Sequence, residues 1–243
     1  MSEVDTYMCK LGGVRRIALT SFLLIASCSS QSQTAVTDSS AITTTTLSLE
    51  TVFKNSCIAP DFNDCNLYGR DFSGAYLRQA QMTNADLRGA NLSDAFLRQA
   101  DFENSLLIDA NLSNAIMPEV SMRNANLANA NLSGVMAILA DLSSANFSNA
   151  IFIGATISAN FTDSILKFVD FTDANLAGSF FTNADLRSAY FLRAKLTDVD
   201  LTGADLTDAD LTDADLTDAI LTRTILTNAT LKGTKMPSSW TAP

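Results

Sequence analysis

The densest group of potentially reactive side chains is a run of carboxylates near the C-terminus. Between Lys195 and Arg223 the sequence has no basic residue, and this interval contains eight aspartates, which we call the acidic belt: Asp198, Asp200, Asp205, Asp208, Asp210, Asp213, Asp215 and Asp218. Neighbouring carboxylates could bind Ca²⁺, which takes about six to eight oxygen ligands, or they could imitate the charge of DNA. A run of like charges is more often a solvated face, and this interpretation is favoured.

The chain contains no histidine. This removes Ser-His-Asp and Cys-His nucleophile systems, imidazole metal sites and the usual physiological-pH switch. The 16 basic and 26 acidic residues give a formal net charge of -10, which disfavours binding to the phosphates of nucleic acids. We therefore predict no catalytic residue, no cofactor, no metal site and no nucleic-acid partner, so the chain is predicted not to be an enzyme.

The N-terminal residues follow the order of an export signal. Three basic residues precede an apolar stretch, Ile17–Ala26, which is too short to span a bilayer. The residues up to Cys28 resemble the lipobox of bacterial lipoproteins, in which the cysteine carries a lipid. The resemblance implies a signal peptide over 1–27, a lipid on Cys28 and a location in the cell envelope, facing the periplasm or the exterior. The start is Met1 or Met8.

The residues that follow Cys28 change character twice. Segment 28–48 is rich in serine and threonine and has no hydrophobic period, which predicts a flexible tether. In segment 49–59, the spacing of Leu49, Val52 and Phe53 after Ser48 predicts a short N-terminal helical cap.

Two cysteines, Cys57 and Cys65, stand where the cap meets the next region. In an oxidising compartment an even number of cysteines suggests a disulfide. Cys65 could instead be a small buried hydrophobic residue. Sequence spacing does not decide between the two, because a disulfide requires the two sulfurs to meet.

The body of the chain is a repeat of five residues. A large apolar residue recurs every five positions from Phe62 to Ile157, the next interval to Phe161 is four, and the five-residue step then continues to Met236. Two positions before these 36 central residues stands a small residue in every case except Arg70, and it is Ala in 24 cases. Neither a helix nor a flat strand buries this spacing on one face, whereas a solenoid of stacked units does.

Several of these units resemble the A(D/N)LXX repeat of the pentapeptide-repeat family: Ala85-Asp86-Leu87-Arg88-Gly89, Ala130-Asn131-Leu132-Ser133-Gly134 and Ala204-Asp205-Leu206-Thr207-Asp208. The resemblance implies an all-β fold, a right-handed quadrilateral β-helix over 60–238 in which four pentads make one coil. Thirty-six pentads would make about nine coils. A C-terminal tail, 239–243, follows, and the four-residue interval predicts a local kink or a tightened corner.

One side of this predicted helix is apolar. Taking every fourth pentad as one face, the residues before the central position are mostly polar on three faces, whereas the fourth reads Tyr76, Phe96, Ile116 and Met136. With their neighbours they form a predicted contact patch: Tyr76, Arg78, Phe96, Arg98, Ile116, Met136, Ile138 and Leu139. The alternative is a column of outward side chains that only stabilises adjacent coils.

Two functions fit this sequence. The first is a non-catalytic, lipid-anchored envelope protein that serves as a rigid scaffold or adaptor for an unidentified protein partner, with a homodimer as one possibility. The second is an acidic DNA mimic that inhibits a DNA-binding enzyme such as gyrase, as some relatives that the chain resembles do. The second function requires an inert export signal and a cytoplasmic location.

Overall fold

The computed structural model describes residues 59–241. The predicted signal peptide, the lipidated Cys28, the tether, Cys57 and all but the last residue of the predicted cap lie outside the described residues, so these remain predictions. No helix among the described residues is long and apolar enough to cross a membrane.

The described chain winds into a four-sided β-helix whose successive coils pair in parallel. Backbone bridges join residues 20 positions apart, as between Asp61 and Gln81, and 19 apart where the five-residue step slips, as between Asp141 and Asn160. The bridged residues form four columns: Asp61 to Ile220 on the first face, Asn66 to Ile225 on the second, Asp71 to Thr230 on the third and Tyr76 to Lys235 on the fourth.

Within residues 59–241 two continuous strands occur, β1 (Met136–Asp141) and β2 (Thr156–Asn160), which pair in parallel. Elsewhere each face contributes isolated bridges separated by turns.

The central residues and the small residues that precede them fill the interior. Leu87, Leu107, Leu127 and Phe102 are each 0% exposed, which places the five-residue pattern in the core. The alanines at the small positions, such as Ala85, are equally buried. Their lack of bulk leaves room for the large residue of the adjacent face, so the core is close-packed along the rod.

Each corner is a tight turn with one residue in the left-handed region. That residue lies two positions after the central one, and its φ is between 56° and 61° at the non-glycine positions such as Asp64 and Asn84. Asn, Asp and Gly tolerate this conformation best. At Gly203, an added Cβ would lie 2.6 Å from the Asn183 Oδ1 of the preceding coil, so the Asn183 side chain would have to turn away to admit a larger residue.

The recurrent Asn or Asp before the central residue caps the turn. In pentads with Asn or Asp at this position, its side-chain oxygen accepts a hydrogen bond from the amide N–H that follows the central residue, as from Ser73 to Asp71 at 3.0 Å and from Ser133 to Asn131 at 3.0 Å. This is an Asx turn. The A(D/N)L pattern therefore reflects one side chain that packs inward, one that satisfies a backbone donor and one that fills the core.

The four-residue interval produces a tightened corner, as its spacing predicts. Ile138 pairs with Ser158 and Ala140 pairs with Ala159, so Leu139 has no opposite residue in β2. The coil that contains β2 thus turns from the fourth face to the first without the left-handed residue that every other such corner has. Leu139 bulges outward and its side chain is 74% exposed.

Ser179 repairs the hydrogen bonding at this corner. In an ordinary pentad the N–H of the small residue donates to the carbonyl of the preceding central residue, as from Ala155 to Phe152 at 3.0 Å. The shortened corner prevents this bond between Ala159 and Ile157. Instead the Ala159 N–H donates to the Ser179 Oγ at 3.2 Å, and that hydroxyl donates to the Ile157 carbonyl at 3.4 Å. Ser179 is 0% exposed.

The C-terminal end of the rod is less covered than its middle. The central residues of the last coil, Leu221, Leu226, Leu231 and Met236, are only partly buried. Trp240 is half-buried, and its backbone N–H donates to the Pro237 carbonyl at 3.0 Å. The segment after Pro237 therefore covers part of the last core layer and leaves an open recess beside it.

Candidate contact face

The apolar residues of the fourth face lie one above another along the rod. Backbone bridges join Tyr76 to Phe96, Phe96 to Ile116 and Ile116 to Met136. The rings of Tyr76 and Phe96 stack at 4.6 Å with an angle of 3° between their planes. All four side chains are exposed, Tyr76 by 69%. We call these four residues the apolar column.

The fold does not require apolar residues at these positions. Elsewhere Asn or Asp in this place accepts the outward N–H of the turn, and in the apolar column no side-chain oxygen is available to do so. At one level the donor itself is missing, because the residue after the central Met117 is Pro118. In four consecutive coils an exposed apolar residue thus stands at the capping position, and in three of them the backbone amide that Asn or Asp would cap is present.

An arginine and a glutamate flank the apolar column. Arg98 donates to Glu119 at 3.0 Å, and Gln99 donates to the same carboxylate at 2.7 Å. The Gln99 side-chain amide, followed by Arg98, lowers the pKa of Glu119. Glu119 is therefore ionised at neutral pH, and its charge offsets that of Arg98 locally.

Arg78 is exposed one coil before Arg98, and its positive charge also lowers the pKa of Glu119. The predicted contact patch as a whole, with Ile138 half-buried and Leu139 at the protruding corner, lies on one face and its edge. Its role in contacts stays a prediction.

The acidic belt surrounds the rod near its C-terminal end. Four of its aspartates, Asp200, Asp205, Asp210 and Asp215, stand on the four successive faces and cap turns. The threonine hydroxyls that follow also donate to Asp205, Asp210 and Asp215, at 2.6, 2.5 and 2.6 Å. These carboxylates are thus already engaged in the fold.

One belt carboxylate has a strongly lowered pKa. The hydroxyl of Thr217 and the ammonium of Lys235, which lies 3.0 Å from Asp215, hold the pKa of this aspartate at about 2. Both stabilise the charged form. Asp215 consequently stays ionised at all but strongly acidic pH.

The other four belt aspartates, Asp198, Asp208, Asp213 and Asp218, occupy left-handed corner positions. Asp208 accepts a bond from Asn228 at 3.1 Å. The exposed carboxylates of Asp198 and Asp218 accept no side-chain hydrogen bond in the described part of the chain. Among residues 59–241, no group of three or more His, Cys, Asp or Glu side chains is arranged to hold a metal ion.

A second exposed apolar group was not predicted from the sequence. It lies on the second and third faces in the middle coils: Ile151, Ile153, Ile165, Phe168 and Tyr190, which are 37–53% exposed. The same rule, an apolar residue where Asn or Asp caps the turn, identifies Ile151, Ile165 and Tyr190. Unlike the apolar column, these residues are interrupted by polar ones, since Asp170 lies between Ile151 and Tyr190.

Cys65 occupies a small inward position of the first coil, where it is 6% exposed, and it is disulfide-bonded. No other cysteine falls within residues 59–241, so its partner lies outside them. The pairing with Cys57 therefore stays a prediction.

Family sequence models cover the whole rod. The pentapeptide repeat region matches residues 59–132, and pentapeptide repeats in eight copies match 125–167, 140–176, 164–203 and 204–237. The chain belongs to the pentapeptide-repeat family. Pentapeptide-repeat proteins form right-handed quadrilateral β-helices and are generally non-catalytic scaffolds. No curated protein sequence matches the chain significantly.

Solved structures of pentapeptide-repeat proteins resemble the chain. One is HetL from the cyanobacterium Nostoc sp. strain PCC 7120, a protein involved in heterocyst differentiation regulation, with 27% identity over 75% of this chain and 91% of HetL and a TM-score of 0.47. Another is trypsin-treated QnrB1, a plasmid-mediated fluoroquinolone resistance protein, with 21% identity over 71% of this chain and 90% of QnrB1 and a TM-score of 0.52. At this identity the likeness to QnrB1 supports the fold alone.

Proposed function

We propose that this pentapeptide-repeat protein is a non-catalytic envelope protein, anchored by a lipid on Cys28, whose rigid rod binds a protein partner through the contact patch. The observation that carries the proposal is the apolar column. Three of its four residues leave an outward amide without the Asn or Asp cap found elsewhere, which lowers local stability slightly, and all four expose apolar surface that a rod of this fold does not need.

The interior supports a role that is performed by the surface. The core residues of the middle coils are at most 4% exposed, and every buried side-chain nitrogen or oxygen in the described residues has a hydrogen-bond partner. A close-packed core of Leu, Phe and Ala offers neither a cleft nor a reactive group. A rod of about nine coils, at roughly 4.8 Å per coil, is about 43 Å long, which suits a spacer or adaptor.

The acidic belt favours this function over DNA mimicry. Its carboxylates are distributed over all four faces, whereas an imitation of duplex DNA needs a continuous acidic face along the rod. Half of them also cap turns of the fold. We therefore assign the belt a structural and electrostatic role, and the DNA-mimic function is the less supported of the two.

Replacing Phe96 with aspartate should abolish partner contact without unfolding the rod. The new carboxylate would cap the Arg98 amide as Asp101 caps that of Glu103 at 2.9 Å, so stability should be unchanged within about 0.5 kcal/mol. A charge in a desolvated contact should weaken binding at least about tenfold. The measurement is the yield of proteins cross-linked to the rod in intact cells, alongside the unfolding midpoint.

The matched control for this variant is Leu106→Asp on the second face. Leu106 is 38% exposed and Phe96 is 37% exposed, and both occupy the capping position of their pentads. The control should leave the cross-linked yield unchanged. Equal yields from the two variants would contradict a contact role for the apolar column.

Replacing Cys28 with alanine should release the protein from the membrane fraction. A lipid on Cys28 would be the only anchor that the proposal invokes, so its removal should move the protein to the soluble fraction or leave an unprocessed precursor. Cys9→Ala, within the predicted signal, should leave fractionation unchanged. Membrane association that is independent of Cys28 would overturn the anchoring.

A further inference from the structure

We propose that the contact patch is covered by a second copy of the same chain. The two rods run antiparallel with their fourth faces together. They are related by a two-fold axis that lies in the contact plane, perpendicular to the rods, between the coil of Met136 and the coil of Thr156. This inference rests on the proposed function only in taking the patch as a contact surface. It names the partner, the orientation and the register.

The size of the patch indicates a partner that extends beyond it. The apolar column covers three coil steps, about 14 Å of the rod. A stable interface buries roughly 800 Å² on each partner, which requires most of the length of one rod face. The partner must therefore also contact the fourth face towards the C-terminus. That part of the face is polar, with Thr156, Asn175, Lys195, Asp215 and Lys235, and its edge is acidic, with Asp198 and Asp218.

The edge of the fourth face has opposite charges at its two ends. Arg78 and Arg98 flank the first two residues of the apolar column; Arg98 forms an ion pair with Glu119 at 3.0 Å, and the charge of Arg78 also acts on that carboxylate. At the other end of the edge stand the exposed carboxylates of Asp198 and Asp218. An antiparallel second copy brings these opposite charges together, whereas a parallel copy brings like charges together.

The edge beside the fourth face fixes the register. Its corner residues, coil by coil, are Gln79, Gln99, Glu119, Leu139, then no residue in the shortened coil, then Gly178, Asp198 and Asp218. Leu139 protrudes, and the next coil lacks the residue that would stand beyond it. A two-fold axis between these two coils places each Leu139 against the shortened corner of the other copy, which is the self-complementary geometry of an isologous dimer.

The same register brings oppositely charged side chains of the two copies together. The coil that contains Arg98 in one copy then faces the coil that contains Asp198 in the other. In the same way, the coil of Arg78 faces the coil of Asp218. Glu119 faces Gly178, which has no side chain to clash with it. Phe96 faces Lys195, a cation that can lie over its ring. A shifted register that stacks the two apolar columns on each other would overlap only four coils, about 19 Å, and would leave Arg78 against Ile138.

The first test is the mass of the full chain in mild detergent, measured by native mass spectrometry over a range of protein concentrations. We expect a dimer for the wild type. Leu139→Glu should raise the dissociation constant by about tenfold or more, while Leu106→Glu, on a face outside the interface, should not change it. A monomer at all concentrations, or a dimer indifferent to Leu139→Glu, would overturn the inference.

A charge exchange tests the orientation. Arg78→Glu and Asp218→Arg should each raise the dissociation constant about tenfold, and the double variant should return it to within about threefold of the wild type. Arginine is tolerated at the corner position, since Arg193 and Arg223 adopt it with φ of 56° and 57°. A double variant as weak as either single variant would rule out the antiparallel register.

Cross-linking from position 96 in intact cells separates this inference from the proposed function. Capture of a second copy of the chain supports both. Capture of a different protein alone overturns the self-pairing and leaves the contact role intact. Capture of nothing contradicts both.

Discussion

Replacing Phe161 with alanine should lower the free energy of unfolding by about 3–5 kcal/mol. Phe161 is 0% exposed and lies in a ladder of rings inside the middle coils. Its ring stacks on Phe181 at 4.8 Å and meets Phe147 and Phe171 edge-on at 5.8 and 6.1 Å. Truncation would remove these contacts and leave a cavity, because neighbouring coils are held by their own backbone bridges and collapse only partly.

The measurement is denaturant unfolding followed by circular dichroism, with Phe168→Ala as the matched control. Phe168 is also a phenylalanine of the middle coils, but it is 53% exposed at a corner, so its loss should change stability by less than about 1 kcal/mol. In a solenoid each coil is stabilised by its neighbours, so the Phe161 variant should also unfold with a broader transition. A loss below about 1 kcal/mol at Phe161 would contradict the ladder's role in stability.

Replacing Ser179 with alanine should cost about 2–4 kcal/mol, although alanine is the commonest residue at its position in the repeat. The hydroxyl accepts from the Ala159 N–H and donates to the Ile157 carbonyl, and both groups lie at the shortened corner. Without the hydroxyl a buried donor and a buried acceptor lose these partners, and each carries a desolvation penalty of about 1–3 kcal/mol.

Ser164→Ala and Ser105→Ala are the controls. These serines occupy the same inward position and are as buried as Ser179. Their hydroxyls donate to the carbonyls of Phe161 and Phe102, which already accept a backbone N–H at 3.1 and 3.0 Å. Each control should therefore change the unfolding free energy by less than about 1 kcal/mol. An equal effect at positions 164 and 179 would refute the role assigned to Ser179.

The repeat itself was readable because its period admits few solutions. Large residues at intervals of five, with a small residue two positions earlier, exclude helix and flat strand and indicate a solenoid, and the resemblance to the pentapeptide-repeat family implies that its coils have four sides. The predicted inward positions Leu87, Leu107 and Leu127 are each 0% exposed. The shortened interval was visible as well, and the tightened corner follows from it because one backbone residue is missing.

The chemical reason for the second motif residue was not visible in the sequence. From the sequence, a solvated face was the favoured interpretation of the acidic belt, and nothing indicated a hydrogen-bonding role for the Asn or Asp before the central residue. In the structure Asp205 and Asp210 each hold the amide and the hydroxyl of a following threonine. Ile151 and Ile165 depart from this capping by Asn or Asp. The departure is present in the sequence, but it can be recognised only when the hydrogen bonds of the turn are known.

Sequence alone determined which side chains face inward, because a strict period of five repeats the same two inward positions in every pentad. The resemblance to the pentapeptide-repeat family implied four pentads per coil, and with that number the sequence also showed which face is apolar. The tertiary structure decided the rest. That Ser179 serves a corner twenty residues earlier, that Glu119 pairs with Arg98, and that Leu139 stands beside a missing residue all depend on which coils stack. Stacking is a contact between distant residues, and its geometry is set by the register of backbone hydrogen bonds rather than by any local pattern.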